Sequence, residues 1–85
     1  MTRLTGIVKG PDGRPVADAA IHFVEGPVPL PDIAQLTGDD GSFGLAAPAP
    51  GTYRLGVNAP GYQPETVTIE VGDEPELVRD ISVKP

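Results

Sequence analysis

His22 is the sole histidine of the chain, and it stands near two carboxylates, Asp18 and Glu25. An imidazole oriented by an acid is the minimal general base, but nucleophilic catalysis also needs a serine or threonine within hydrogen-bond reach. Spacing alone shows no such group in reach, and catalysis is not expected. The expected state of His22 is a half-exposed strand residue on the face opposite Phe23. Asp39, Asp40 and Ser42 cluster oxygen ligands of the kind hard cations take. They lack an Asp-x-Asp-x-Asp-Gly spacing and a closing bidentate glutamate, and aspartates bond to nearby amides in turns. Glu70, Asp73, Glu74 and Glu76 form the densest acidic patch, read as a solvated turn that keeps an edge strand soluble. No catalytic set, metal site or cofactor is therefore expected.

One segment suits recognition better. Gly26 to Asp32 is longer than a simple strand-to-strand loop and displays Val28 and Leu30 among Pro27, Pro29 and Pro31. Prolines hold such a loop pre-ordered, which lowers the entropy cost of binding. Exposed apolar side chains on a rigid loop make a contact surface. The competing expectation is that Val28 and Leu30 fold back to cover the open end of the molecule.

The elements that position these residues follow from composition and pattern. The chain has 85 residues, no cysteine and no tryptophan, so disulfides and thiolate chemistry are excluded. A chain of this size buries only about 60–65% of its unfolded surface, so one thin-cored domain over residues 1–85 is expected. Its net charge of −6 divides evenly, with +3 and −6 in residues 1–42 and the same in 43–85. That leaves no basic patch for nucleic acid or anionic membrane. No apolar run approaches the roughly 20 residues of a membrane helix. The first residues, Met1 to Gly6, have no apolar h-region, so no signal peptide is expected.

Eleven glycines and eleven prolines punctuate segments of alternating Val, Ile, Thr and Tyr. Such residues serve turns that need positive φ or a φ fixed near −65°. Strands are expected over Leu4–Lys9, over Ile21–Glu25 after a lead-in from Val16 through Ala19 and Ala20, over Ile33–Thr37, around Phe43 and Leu45, and over Thr52–Asn58, Thr66–Val71 and Glu76–Val83. Asp40-Gly41 marks a hairpin turn, and Ala46 to Pro50 reads as a rigid connection. Seven strands without a helical period imply an all-β, antiparallel sandwich. Its core would be Leu4, Val8, Ile21, Phe23, Phe43, Leu45, Tyr53, Leu55, Val57, Val67, Ile69, Val71, Ile81 and Val83.

Four signatures occur in order: Gly6-Ile7-Val8; Gly13-Arg14-Pro15-Val16-Ala17-Asp18-Ala19-Ala20-Ile21; Thr37-Gly38-Asp39-Asp40-Gly41-Ser42-Phe43; and Gly51 through Tyr62. Over residues 4 to 71 this string resembles the carboxypeptidase regulatory-like domain, a transthyretin-like (prealbumin-like) seven-stranded sandwich with an immunoglobulin-like Greek key. The resemblance implies a non-enzymatic accessory module with no shared ligand or catalytic residue. Its members accompany peptidases, glycan-active enzymes and surface proteins, and are commonly extracytoplasmic. The compartment of this chain stays open. Within the wider fold, hydroxyisourate hydrolases need several histidines and a Tyr-Arg-Gly-Ser end, whereas this chain ends Ile81-Ser82-Val83-Lys84-Pro85. An internal Lys–Asn or Lys–Asp bond would need a buried acid beside Lys9, which is expected to point outward.

The expected function is thus protein–protein interaction or assembly within a larger complex, through Pro27, Val28, Pro29, Leu30 and Pro31. The alternative is a carbohydrate-binding accessory module. Sugar platforms use exposed aromatics, and Tyr62 alone stands outside the expected core.

Overall fold

The computed structural model describes residues 1–30 and 34–85. Pro31 and Asp32 of the expected loop, and Ile33 at the expected start of a strand, lie outside the described residues. Among the described residues there are eight strands: β1 Thr2–Lys9, β2 Ala20–Glu25, β3 Gln35–Leu36, β4 Ser42–Ala47, β5 Gly51–Asn58, β6 Glu65–Val71, β7 Glu76–Val78 and β8 Ile81–Ser82. They form two four-stranded sheets. One has the order β4-β1-β7, with β8 also on β1, and the other runs β3-β2-β5-β6.

The second sheet is antiparallel throughout. In the first, β4 is antiparallel to β1, but β7 and β8 run parallel to it. This corrects the expectation of a wholly antiparallel sandwich. The chain leaves β6 in one sheet and crosses to the other, and there it meets the free side of β1 in the same direction. The count of eight rather than seven has a local cause. The expected last strand is interrupted at Arg79 and Asp80, where the Ile7 N–H bonds to the Asp80 carboxylate (3.0 Å) instead of a main-chain carbonyl.

Period-two alternation fills the space between the sheets. Leu4 and Val8 point inward from β1, Tyr53, Leu55 and Val57 from β5, Ile69 and Val71 from β6, and Ile81 and Val83 from the C-terminal segment. Phe23, Leu45 and Val67 are half-buried against this core, less enclosed than expected. Val16, Ala19, Ala47 and Ala59 join it. Ala47 does so because β4 continues past Leu45 and pairs Ala47 with Thr2, where a connection was expected.

Two side-chain clasps tie loops to the sheets. The buried Thr37 hydroxyl donates to the Val16 carbonyl (2.7 Å) and accepts from the Ala19 N–H (2.9 Å). The Tyr53 hydroxyl donates to the Ala49 carbonyl (2.6 Å) and accepts from the Ala49 N–H (3.1 Å). Each satisfies main-chain groups that would otherwise be costly to bury.

Candidate functional site

The end of the sandwich beside Tyr53 carries the loop expected to bind. Gly26 leads into it, and a Cβ at that position would lie 2.6 Å from Leu30 Cδ1 and 3.1 Å from the Tyr53 ring. Leu30 thus folds back onto the core, next to a Phe23–Tyr53 ring pair 5.5 Å apart. Pro27 packs over Gly51, where the backbone takes a φ of 146° and a Cβ would meet the Pro27 ring at 2.8 Å. Only glycine accepts that combination of φ and contact. Val28, 36% exposed, and Pro29 face outward. The loop borders a shallow groove of about 550 Å³ with Phe23, Val24 and Glu25 along one side. Pro31 lies outside the described residues.

The other candidates are dispersed. His22 is half-buried on the outer face of β2 and lies across Gly56, whose Cβ would stand 2.5 Å from the imidazole. Glu25 is engaged by Arg54 at 3.2 Å. Asp18 is exposed in the loop before β2 with a φ of 59°, a left-handed conformation aspartate tolerates. These residues therefore sit in three different local settings rather than as a base with its orienting acid.

Asp40 spends its carboxylate inside its own turn. Oδ1 accepts from the Ser42 hydroxyl (2.6 Å) and the Ser42 N–H (3.0 Å), and these bonds hold its pKa below the ordinary aspartate value. Among the described residues no group of three or more His, Asp or Glu is placed to hold a metal.

The acidic patch also resolves into local contacts. Glu74 accepts the Gly72 N–H at 3.1 Å, and bonds from its own amide and that of Gly72 lower its pKa. Glu70 accepts the Thr52 hydroxyl at 2.6 Å, while Asp73 and Glu76 stay exposed. Lys9 lies 3.3 Å from Asp80 with 40% of its side chain exposed. The Ile7 amide, and secondarily Lys9, lower the Asp80 pKa.

Aromatic exposure is small. Phe43 and Tyr53 are buried, and Phe23 and Tyr62 are half-buried. Tyr62 sits among Pro11, Pro60 and Pro85, with its hydroxyl close over Gly10.

One functional candidate escaped the sequence reading. On the open side of the sandwich, β3 and β4 are the outer strands of the two sheets. An apolar cleft of about 660 Å³ runs between them, lined by Phe23, Leu36 and Leu45 among others. Leu36 is 61% exposed. The available signal is the uncharged, proline-free run Ser42–Ala47, in which Phe43 and Leu45 are expected in the core and Ala46 and Ala47 in a connection.

A family model for the carboxypeptidase regulatory-like domain matches residues 3–84. No curated protein matches the chain. Among solved structures, the chain is similar to the dioxygenase domain of a dioxygenase carbohydrate-binding protein fusion from the cellulolytic bacterium Streptomyces sp. SirexAA-E. The TM-score is 0.68 at 20% identity, covering 98% of this chain and 79% of that one. At that identity the likeness concerns the fold alone.

Proposed function

Since the chain belongs to the carboxypeptidase regulatory-like domain family, a family of β-sandwich modules, we propose that it works as a non-catalytic module that binds another protein, with the Pro27–Leu30 loop as its contact. The observation that carries this reading is the division of labour within the loop. Pro27 is seated on Gly51 and Leu30 on the core beside Gly26, so Val28 is held outward on a backbone anchored at both ends. An anchored loop loses little entropy on binding. Half of the segment covers the sandwich and half is offered to a partner.

Two single variants separate these roles. Val28→Ser should leave the melting temperature within about 2 °C of the natural value, because an exposed substitution away from special features costs little. Leu30→Ser should lower stability by about 1–2 kcal/mol, the worth of a partly buried leucine. In affinity capture from a lysate of the source organism, Val28→Ser should lose a protein that the natural chain retains. Capture indifferent to Val28, or binding of soluble oligosaccharide that perturbs Tyr62 fluorescence, would replace this reading with a scaffold or a glycan-binding role.

A further inference from the structure

The free side of β4 differs from the other sheet edges. β6 carries Glu65 and Glu70, β7 begins at Glu76 behind Pro75, and β3 is two residues long. Charges, prolines and shortness are the usual means of keeping an edge from pairing. β4 runs Ser-Phe-Gly-Leu-Ala-Ala and has none of them.

Its hydrogen-bonding phase can be read directly. The Val8 N–H donates to the Gly41 carbonyl at 2.9 Å, and Ile7 is paired with Ser42. Antiparallel ladders alternate, so Phe43, Leu45 and Ala47 turn their main-chain groups toward β1, while Ser42, Gly44 and Ala46 turn theirs away. The groups of Ser42 are already used: its N–H by Asp40 (3.0 Å) and its carbonyl by the Gly38 N–H (3.1 Å). The N–H and carbonyl groups of Gly44 and Ala46 have no partner among the described residues.

Above this edge lies a cation. Arg3 leaves the outer face of β1 and extends over Gly44, whose Cβ would stand 3.0 Å from the Arg3 Nη2. A side chain at position 44 would press on the guanidinium and shift it. Arg3 is exposed, and among the described residues its guanidinium has no ion pair or side-chain hydrogen bond. Lys9, Arg14 and Arg54 are each paired with a carboxylate. Beneath the edge, on the core side, opens the apolar cleft of Phe23, Leu36 and Leu45.

The geometry points to β4 as a docking edge for an extended segment of a partner protein in which an acidic residue lies between two apolar ones. The segment's main chain pairs with Gly44 and Ala46. Its acidic side chain projects to the outer face and meets Arg3, and the flanking apolar side chains enter the cleft. This site goes beyond the loop reading and stands without it.

The probe is a fluorescein-labelled peptide, Thr-Val-Glu-Val-Thr-Lys, with counterparts carrying glutamine or lysine at the glutamate. Anisotropy should show the acidic peptide binding about threefold tighter than the glutamine one, the range of an exposed ion pair, and the lysine peptide weakest. Arg3→Gln should abolish that order while retaining the glutamine peptide. Ala46→Pro should abolish all binding with little effect on melting, since its N–H faces away from the sheet. Val28→Ser should change nothing, which separates this site from the loop. Amide shift changes in the natural protein should centre on Gly44, Leu45, Ala46 and Leu36, a measurement that needs no variant to fold. Shifts centred elsewhere, an order indifferent to Arg3, or no binding at millimolar peptide would overturn the proposal. A concentration-dependent dimer lost on Ala46→Pro would also overturn it, by making a second copy the occupant.

Discussion

Replacing Gly6 by alanine drives a methyl group into the carbonyl of Arg79. The new Cβ would fall within the radius of the Arg79 oxygen, 2.6 Å from its carbonyl carbon and 3.0 Å from Phe43 Cε1. Carbon contacts settle near 3.5–4.0 Å, so β1 and the β7–β8 segment must part by about 1 Å. Both neighbours are held: Arg79 bonds through its N–H to the Thr5 carbonyl (2.8 Å), and Phe43 is packed in the core. Overpacking of this kind costs about 1–3 kcal/mol. Loss of the Thr5–Arg79 bond adds about 1 kcal/mol, for a total of about 2–4. With a slope near 1 kcal/mol per molar urea for a small domain, the unfolding midpoint should fall by about 2–4 M. Tyrosine fluorescence can follow the transition, because no tryptophan is present. Gly13→Ala and Gly61→Ala are the controls. Both glycines have φ near 80° with nothing within 4 Å of an added Cβ, so each should cost only the left-handed penalty of about 1–2 kcal/mol. A Gly6→Ala loss no larger than the controls would refute the argument that close strand approach, rather than backbone freedom, requires glycine at position 6.

Three more outcomes follow from the same contacts. Thr37→Val strands the Ala19 N–H and the Val16 carbonyl in a buried setting, and thermal unfolding should report a loss of about 2–4 kcal/mol. Tyr53→Phe removes both bonds to Ala49 and should cost about 1–2 kcal/mol by urea titration, with the fold retained by far-ultraviolet dichroism. The Asp80 pKa is depressed in the folded state, so its contribution is complete above the unfolded value near 3.9 and fades as pH falls through the lower folded value. Asp80→Asn should therefore flatten the melting temperature against pH below about pH 4, relative to the natural protein.

Local pattern and long-range geometry divide what could be read from the chain. Tyr53, Leu55 and Val57 alternate within one strand, and all three are buried, because a period of two needs no knowledge of the partner strand. The turns at Gly13, Gly41 and Gly61 have positive φ, as the residues around them imply. The role of Thr37 was not legible: its partners lie 18 and 21 residues away, and a threonine gives no sign of which carbonyl it will meet. Ala47 and Ala59 are buried although alanine carries a weak apolar signal. Parallel pairing of β7 and β8 on β1 depends on how the whole chain folds back, and no local pattern records it. Of the loop proposed to bind, the prolines marked its stiffness, but the inward turn of Leu30 and outward turn of Val28 depend on Gly26 and Tyr53. Arg3 over Gly44 joins residues 41 positions apart, a distance at which spacing carries no information.

The most direct test of the account is affinity capture with the natural protein, Val28→Ser and Leu30→Ser side by side, each checked by melting temperature. The account predicts a protein partner held by the natural chain and lost by Val28→Ser at unchanged melting temperature. Capture that is empty, or the same for the natural chain and Val28→Ser, would contradict a module that binds through this loop.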